Sequence, residues 1–320
     1  MKITALLVAL FPFALYAQQN YFEGELTYKV SLRSKITGLS DNDVRKIFVT
    51  GETKTIVCKN GSYKEHNVYV DYYTISKEKK QYIKFRNLDT LYFVGFDSDT
   101  GRVQSITKDP GSFKVNGYDC KALTIKTNDV TKQYYYSPSL LLNPEFDKDN
   151  SIGNYNVYSR ESGGAVYLLI RAETPYASET DSCTKVAPAK VDEQAFDLPH
   201  LPIKKLDVPS LVHMPRFRGG DKGWLTYLQA NLDPKLAIKY VKLPKGQKEA
   251  SVEVMVEFVV TEDGTIANAH VVNEKDVHPK LAKEALRVIT ESPKWEPASF
   301  FGERLANFSK QPIIFKVEAE

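Results

Sequence analysis

A chain of 320 residues is long enough for about two domains, each able to bury a core. Charged residues make up 26% of it and aromatics 12%, a globular balance that excludes long disorder and low complexity. The formal net charge of +3 divides as +2 over residues 1–209 and +1 over 210–320, so neither half is a polycation and nucleic acid is disfavoured as a partner.

Met1-Lys2 is a short basic start, followed by an apolar run from Ile3 to Tyr16 that contains Pro12. That run is shorter than the roughly 20 apolar residues needed to span a bilayer. It reads as a secretory signal peptide, residues 1–17, cut after Ala17. The mature chain is then expected to be periplasmic or envelope-located with no stable membrane span, and an uncut anchor is the alternative. Cys58, Cys120 and Cys183 fit an exported protein with one disulfide and a spare thiol, and equally three buried free thiols; spacing does not set a pairing.

From Tyr21 to about Ala172 come short runs rich in Tyr, Val, Ile, Phe and Thr: 22–32, 53–58, 63–73, 81–85, 91–96, 121–127, 132–136 and 165–171. Asn60-Gly61, Asp99-Thr100-Gly101, Asp109-Pro110-Gly111, Asn116-Gly117 and Gly163-Gly164 punctuate them, each able to supply the positive φ of a tight turn. No helical period interrupts for long, and the pattern predicts an antiparallel sheet of about eight strands. Of 19 tyrosines, 17 precede residue 210, which points to cross-strand packing on a sheet with one wet face; a lipid or glycan platform is the other use of such a surface. Phe22-Glu23-Gly24-Glu25-Leu26-Thr27-Tyr28 and Gly117-Tyr118-Asp119-Cys120 resemble segments of exported β-rich proteins of the GLPGLI type. That resemblance implies an exported sheet domain and no chemistry.

Thr174 to Pro215 is polar and carries Pro175, Pro188, Pro199, Pro202, Pro209 and Pro215, which disfavours helix and favours extended chain. Val191 to Leu198 is expected to close the first domain, residues 18–200, through Phe196 and Leu198. Residues 201–215 are expected to be a Pro-rich linker, and 216–320 a second domain.

In the second domain Phe217-Arg218-Gly219-Gly220 precedes a helix that Asp221 is expected to cap, with Trp224, Leu225, Leu228 and Leu232 as its apolar stripe. Asp233-Pro234 interrupts it. Val252, Val254, Val256, Phe258 and Val260 alternate as one face of a half-buried strand, and Asp263-Gly264 turns the chain into an antiparallel return. Pro279 starts a second amphipathic helix with Leu281, Ala285, Val288 and Ile289 inward. Phe308 to Val317 is the last strand, an edge strand because Pro312 lacks the N–H of a central ladder. The chain is thus read as α+β.

The order helix, hairpin, helix, strand, with Phe217-Arg218-Gly219-Gly220, Val254-Met255-Val256-Glu257-Phe258, Asp263-Gly264-Thr265-Ile266, Ala285-Leu286, Pro293-Lys294-Trp295-Glu296-Pro297 and Pro312-Ile313-Ile314-Phe315, resembles the C-terminal domain of TonB-like energy transducers over about residues 217–318. The resemblance implies uptake of a peptide by strand pairing, from an outer-membrane TonB-dependent transporter or another envelope protein, with Ser309, Lys310, Gln311 and Ile313 lining the site. The favoured function is an exported binding or adaptor protein; the alternative is a component of TonB-dependent transport that keeps its N-terminal segment as an anchor.

His66, His200, His213, His270 and His278 show no metal-ligand spacing, and Gly219-Gly220 lacks the strand and the lysine of a phosphate loop. Cys120 beside Asp119 has no catalytic partner that sequence can assign. No enzyme, metal or cofactor is expected.

Overall fold

The computed structural model describes residues 21–98 and 101–319; the expected signal peptide lies outside them. The first part of the chain forms β1 (Gly24–Ser34), α1 (Asp41–Ile47), β2 (Thr53–Lys59), β3 (Ser62–His66), β4 (Val70–Ile75), β5 (Lys80–Phe85), β6 (Leu91–Gly95), β7 (Val103–Val115), β8 (Tyr118–Thr127), β9 (Thr131–Leu141), α2 (Tyr155–Ser162), β10 (Ala165–Glu173) and β11 (Ala177–Pro188). Adding β12 (Ile203–Lys205), the sheet runs β12-β6-β5-β4-β3-β2-β1-β11-β10-β9-β8-β7. Every pair in it is antiparallel except β12 on β6.

Eleven antiparallel strands exceed the eight or so expected, and three local causes account for the difference. The run 63–73 breaks at Asn67, whose side chain turns the chain by accepting from the Tyr69 N–H, so it supplies both β3 and β4. Strand β7 is exposed along nearly all its length and shows no apolar period. Strand β11 lies inside the stretch set apart for its prolines, and it pairs with β1 and β10 in the middle of the sheet.

Two hairpins follow their turn residues closely. Asn60 and Gly61 have φ of 47° and 78°, and Asn116 and Gly117 have 48° and 81°. Both central residues are left-handed, the turn that matches the strand twist. By contrast, Asp109-Pro110-Gly111 makes no hairpin: it is a bulge within β7, where Asp109 Oδ1 accepts from the Gly111 N–H at 2.8 Å. Proline is tolerated there because β7 ends the sheet.

The helices of the first domain had no clear sequence period. Ser40 and Asp43 form a capping box that starts α1, and Val44 buries its single apolar face. Helix α2 belongs to a segment, 144–162, that crosses the inner face of the sheet. At one end Asp147 accepts from the Tyr63 hydroxyl of β3 at 2.7 Å; at the other Tyr158, fully buried, donates to the Ala165 carbonyl and packs on Tyr134 with ring centroids 4.3 Å apart. The sheet therefore curls around this segment, burying Leu26, Tyr28, Leu123, Tyr134 and Leu168. Phe196 is buried, and Leu198 packs on the cluster of Tyr73, Tyr82 and Leu91. Cys58, Cys120 and Cys183 are all free and buried in one apolar cluster, with burial pushing the Cys58 thiol up to about 12 and Cys183 up to about 11.

The rest of the chain forms α3 (Val208–Leu211), β13 (Val212–His213), α4 (Gly220–Asn231), α5 (Pro234–Tyr240), β14 (Glu249–Val260), β15 (Ile266–Val271), α6 (Pro279–Thr290), β16 (Ala298–Phe300), β17 (Glu303–Leu305) and β18 (Asn307–Glu318). The chain is α+β, with a large sheet followed by a smaller mixed domain. Residues 201–215 run between the two but are paired at both ends: β12 continues the large sheet beside β6, and β13 pairs with β16. The two parts also pack on each other. Leu39, Val44 and Ala177 meet Val259 and Ala306, Phe85 stacks on Phe301 at 4.5 Å, and Glu303 receives Arg86 and Asn87.

Candidate partner-binding edge of the C-terminal domain

Strand β14 carries the core of this domain. Val254, Val256, Phe258 and Val260 are at most 1% exposed, as their alternation predicts, and helix α6 lays Leu281, Ala285, Val288 and Ile289 over them. His278 caps α6 by accepting from the Lys280 N–H at 3.2 Å, and Pro279 occupies the first turn, where a missing N–H costs nothing.

The Asp263-Gly264 turn and the Pro293-Lys294-Trp295 segment, distant in sequence, touch. Gly264 has φ +87°, and a Cβ there would lie 2.2 Å from the Trp295 carbonyl oxygen. Trp295, 1% exposed, closes the contact with its N–H on the Gly264 carbonyl at 2.8 Å. Lys294 Nζ sits 2.6 Å from Asp263 Oδ2. Its ammonium, helped by the hydroxyls of Thr261 and Thr265, holds the Asp263 carboxyl well below the usual carboxylate range. Phe217 joins the same cluster, its ring 5.2 Å from Trp224 and 5.5 Å from Trp295, which explains an aromatic residue just before the Gly219-Gly220 bend.

Helix α4 departs from expectation at two residues. Asp221 does not cap it; Gly219, at φ +84°, is the N-cap, and Asp221 lies in the first turn, where its charge still favours the helix dipole. Leu225 is not part of the inward stripe: Trp224, Leu228 and Leu232 pack on the core while Leu225 is 58% exposed. After Asp233-Pro234 the helix resumes as α5, with Asp233 capping it through the Lys235 N–H and Pro234 in its first turn.

Strand β18 pairs with β14 over its whole length, Asn307 opposite Val260 through Glu318 opposite Glu249. In the three-stranded order β15-β14-β18 it stands at the end, so among the described residues its outer edge carries no strand. Ile313 and Phe315 point into the core, and Phe308, Lys310, Pro312 and Ile314 point out. Beside this edge lies an apolar groove of about 450 Å³, walled by Trp224, Leu225 and Leu228 on α4 and by Gln311, Pro312 and Ile314 on β18.

Of the four residues expected to line a site, Gln311 reaches the groove, while Ser309 and Lys310 lie further along the strand. Ile313 is fully buried, so its side chain belongs to the core and only its main chain remains at the edge. Leu225 and Ile314, 58% and 54% exposed, were not among the residues the sequence placed at the site. Ile314 was legible from strand alternation once Ile313 faced inward; Leu225 was hidden by its apolar neighbours. The five histidines are dispersed, with His66 beside Asp71, His270 near Glu257 and His278 stacked on Tyr240.

No curated protein matches the chain. Two structures of PNGF-II, in different space groups, are similar at 13% and 12% identity with TM-scores of 0.36 and 0.34; 75% of this chain is aligned, and it spans 44% of theirs, less than half their length. Residues 247–317 match the family model of the Gram-negative bacterial TonB protein C-terminal, and the end of the chain, from β14 to β18, is a TonB C-terminal domain.

Proposed function

We propose that the protein is an exported, non-enzymatic binding or adaptor protein of the cell envelope, whose C-terminal domain takes up an extended segment of a protein partner along β18. The observation that carries this reading is the conjunction of a strand edge that carries no further strand among the described residues with the apolar groove beside it. An incoming strand would gain main-chain hydrogen bonds from the edge, and alternate side chains would fill the groove, so affinity and choice come from different parts of one surface. A TonB-dependent transporter of the outer membrane, or another envelope protein with an exposed extended segment, is a partner of the right kind for a TonB C-terminal domain. Lys310 and Pro312 also keep the empty edge from pairing indiscriminately.

Among the described residues no helix is long and apolar enough to cross a membrane. Amide hydrogen exchange over 307–318, with and without a peptide from the N-terminus of an outer-membrane transporter, tests the reading. Added protection in β18, lost in Leu225→Asp and Ile314→Asp variants that remain folded, is the expected result. Protection confined to other elements, or unaffected by both substitutions, would overturn it.

A further inference from the structure

The curled sheet of the first domain holds a second cavity, of about 450 Å³, between its inner face and the segment that crosses it. This falls within the size range of small-ligand sites. Its walls come from strands far apart in sequence: Lys54 on β2, Glu65 on β3, Lys132 on β9, and Glu179 and Asp181 on β11, with Asp147 from the crossing segment. The rings of Tyr72, Tyr134, Tyr155 and Tyr167 complete it. Glu65, at 27% side-chain exposure, marks a mouth open to solvent.

Two features set this cavity apart from a satisfied polar core. Asp181 is only 3% exposed, and while its Oδ2 accepts from Lys54 Nζ at 2.7 Å, its Oδ1 has no hydrogen-bond partner. Asp147, 1% exposed, likewise has Oδ2 on the Tyr63 hydroxyl and Oδ1 without a partner. A buried carboxylate oxygen left without a donor is costly, and native folds rarely keep one without a reason. Charge points the same way. Four carboxyl groups, Glu65, Asp147, Glu179 and Asp181, face two ammonium groups, Lys54 and Lys132, and Lys54 is already shared between Asp181 and Glu65. Carboxyl groups thus outnumber ammonium groups in the cavity, two carboxylate oxygens still lack a donor, and the aromatic faces are surfaces on which a cation is stabilised.

We propose that this cavity binds a small organic cation with two or more ammonium groups, a short polyamine, whose N–H donors complete Asp181 and Asp147 while its methylene chain lies against the tyrosine rings. Without the ligand, burial and the neighbouring Asp181 push the Glu179 carboxyl up to about 7, and burial pushes Asp147 up to about 6. Burial and the nearby Lys54 lower the Lys132 ammonium. A cation binds the ionised carboxylates, so binding releases protons and tightens as pH rises through this window.

Isothermal titration of the full chain with spermidine tests the proposal, with hexane-1,6-diol as a neutral molecule of comparable chain. The expected result is saturable spermidine binding at about pH 8, weaker by roughly tenfold or more at about pH 5.5, and none for the diol. Glu179→Gln, at the partly exposed side of the cavity, is expected to weaken binding and flatten its pH dependence, and Asp181→Asn to abolish it. Circular dichroism separates loss of binding from loss of fold; should Asp181→Asn unfold because Lys54 loses its partner, Glu179→Gln decides. No saturable spermidine binding by the folded chain, binding independent of pH or of Glu179, or equal binding of the diol would overturn the assignment.

Discussion

Asp147 shows how one side chain can hold the first domain together and tax it at the same time. Its carboxyl is buried between the crossing segment and Tyr63, and burial, only partly offset by the hydrogen bond from the Tyr63 hydroxyl, raises it from 3.8 to about 6. The folded state then holds a proton that the unfolded chain has released, so this group's contribution is fully present below the unfolded value and is lost as pH rises from about 4 to 6. A rise of that size corresponds to roughly 3 kcal/mol as an upper bound. Asp147→Asn keeps an acceptor for Tyr63 and removes the titration. It is therefore expected to gain stability relative to the wild type between about pH 4.5 and 7.5 in urea denaturation, by up to about 3 kcal/mol. A pH-independent difference between the two proteins would show that Asp147 is not the titrating group. Glu179, raised to about 7 chiefly by burial, acts in the same direction and over a window extending higher.

At the scale of elements, the hairpin of the C-terminal domain is fixed by a contact as much as by its turn. Asp263-Gly264 would make a β-turn in many settings, but here Gly264 lies under the Trp295 backbone with no room for a Cβ. Gly264→Ala adds a left-handed backbone penalty of about 1–2 kcal/mol and forces that contact apart, for a total near 3 kcal/mol. Thermal denaturation of the variant checks this; a loss under about 1 kcal/mol would mean that the hairpin and the Trp295 segment separate freely. The same contact explains why these two short motifs occur together; β15 takes one side of β14 and β18 the other, so β18 ends the three-stranded sheet.

For the molecule as a whole, the interface between the two parts decides how the stretch 201–215 behaves. Prolines make it extended, yet β12 and β13 anchor it to opposite domains, and Glu303, 9% exposed, ties Arg86 and Asn87 across the junction at 2.7 and 2.8 Å. Arg86 is partly exposed, which limits the value of this tie to about 1 kcal/mol, a factor of about five in the open population. Glu303→Ala is thus expected to speed trypsin cleavage at Lys204 and Lys205 several-fold while leaving each domain folded. An unchanged cleavage rate would mean that the junction rests on the Phe85 and Phe301 stack and the apolar contacts of Val259 instead.

The sequence by itself determined what neighbouring residues decide. Left-handed pairs at Asn60-Gly61 and Asn116-Gly117 made hairpins, Pro279 opened a helix, and the alternation from Val252 to Val260 named its buried face, because each rests on backbone sterics or periodicity within a few residues. The motifs of the final hundred residues carried the resemblance that residues 247–317 bear out. Tertiary structure alone decided the rest. Strand β11 places Glu179 and Asp181 on the inner face, where an apolar residue would have signalled a strand, so its period was erased by the same charges that line the cavity. Leu225 faces outward because α4 turns Trp224 and Leu228 to the core, a choice made by Phe217 and Trp295 rather than by its own neighbours. The cavity gathers carboxylates from β3, β11 and the crossing segment, and no spacing along the chain encodes a meeting that depends on how a twelve-stranded sheet curls.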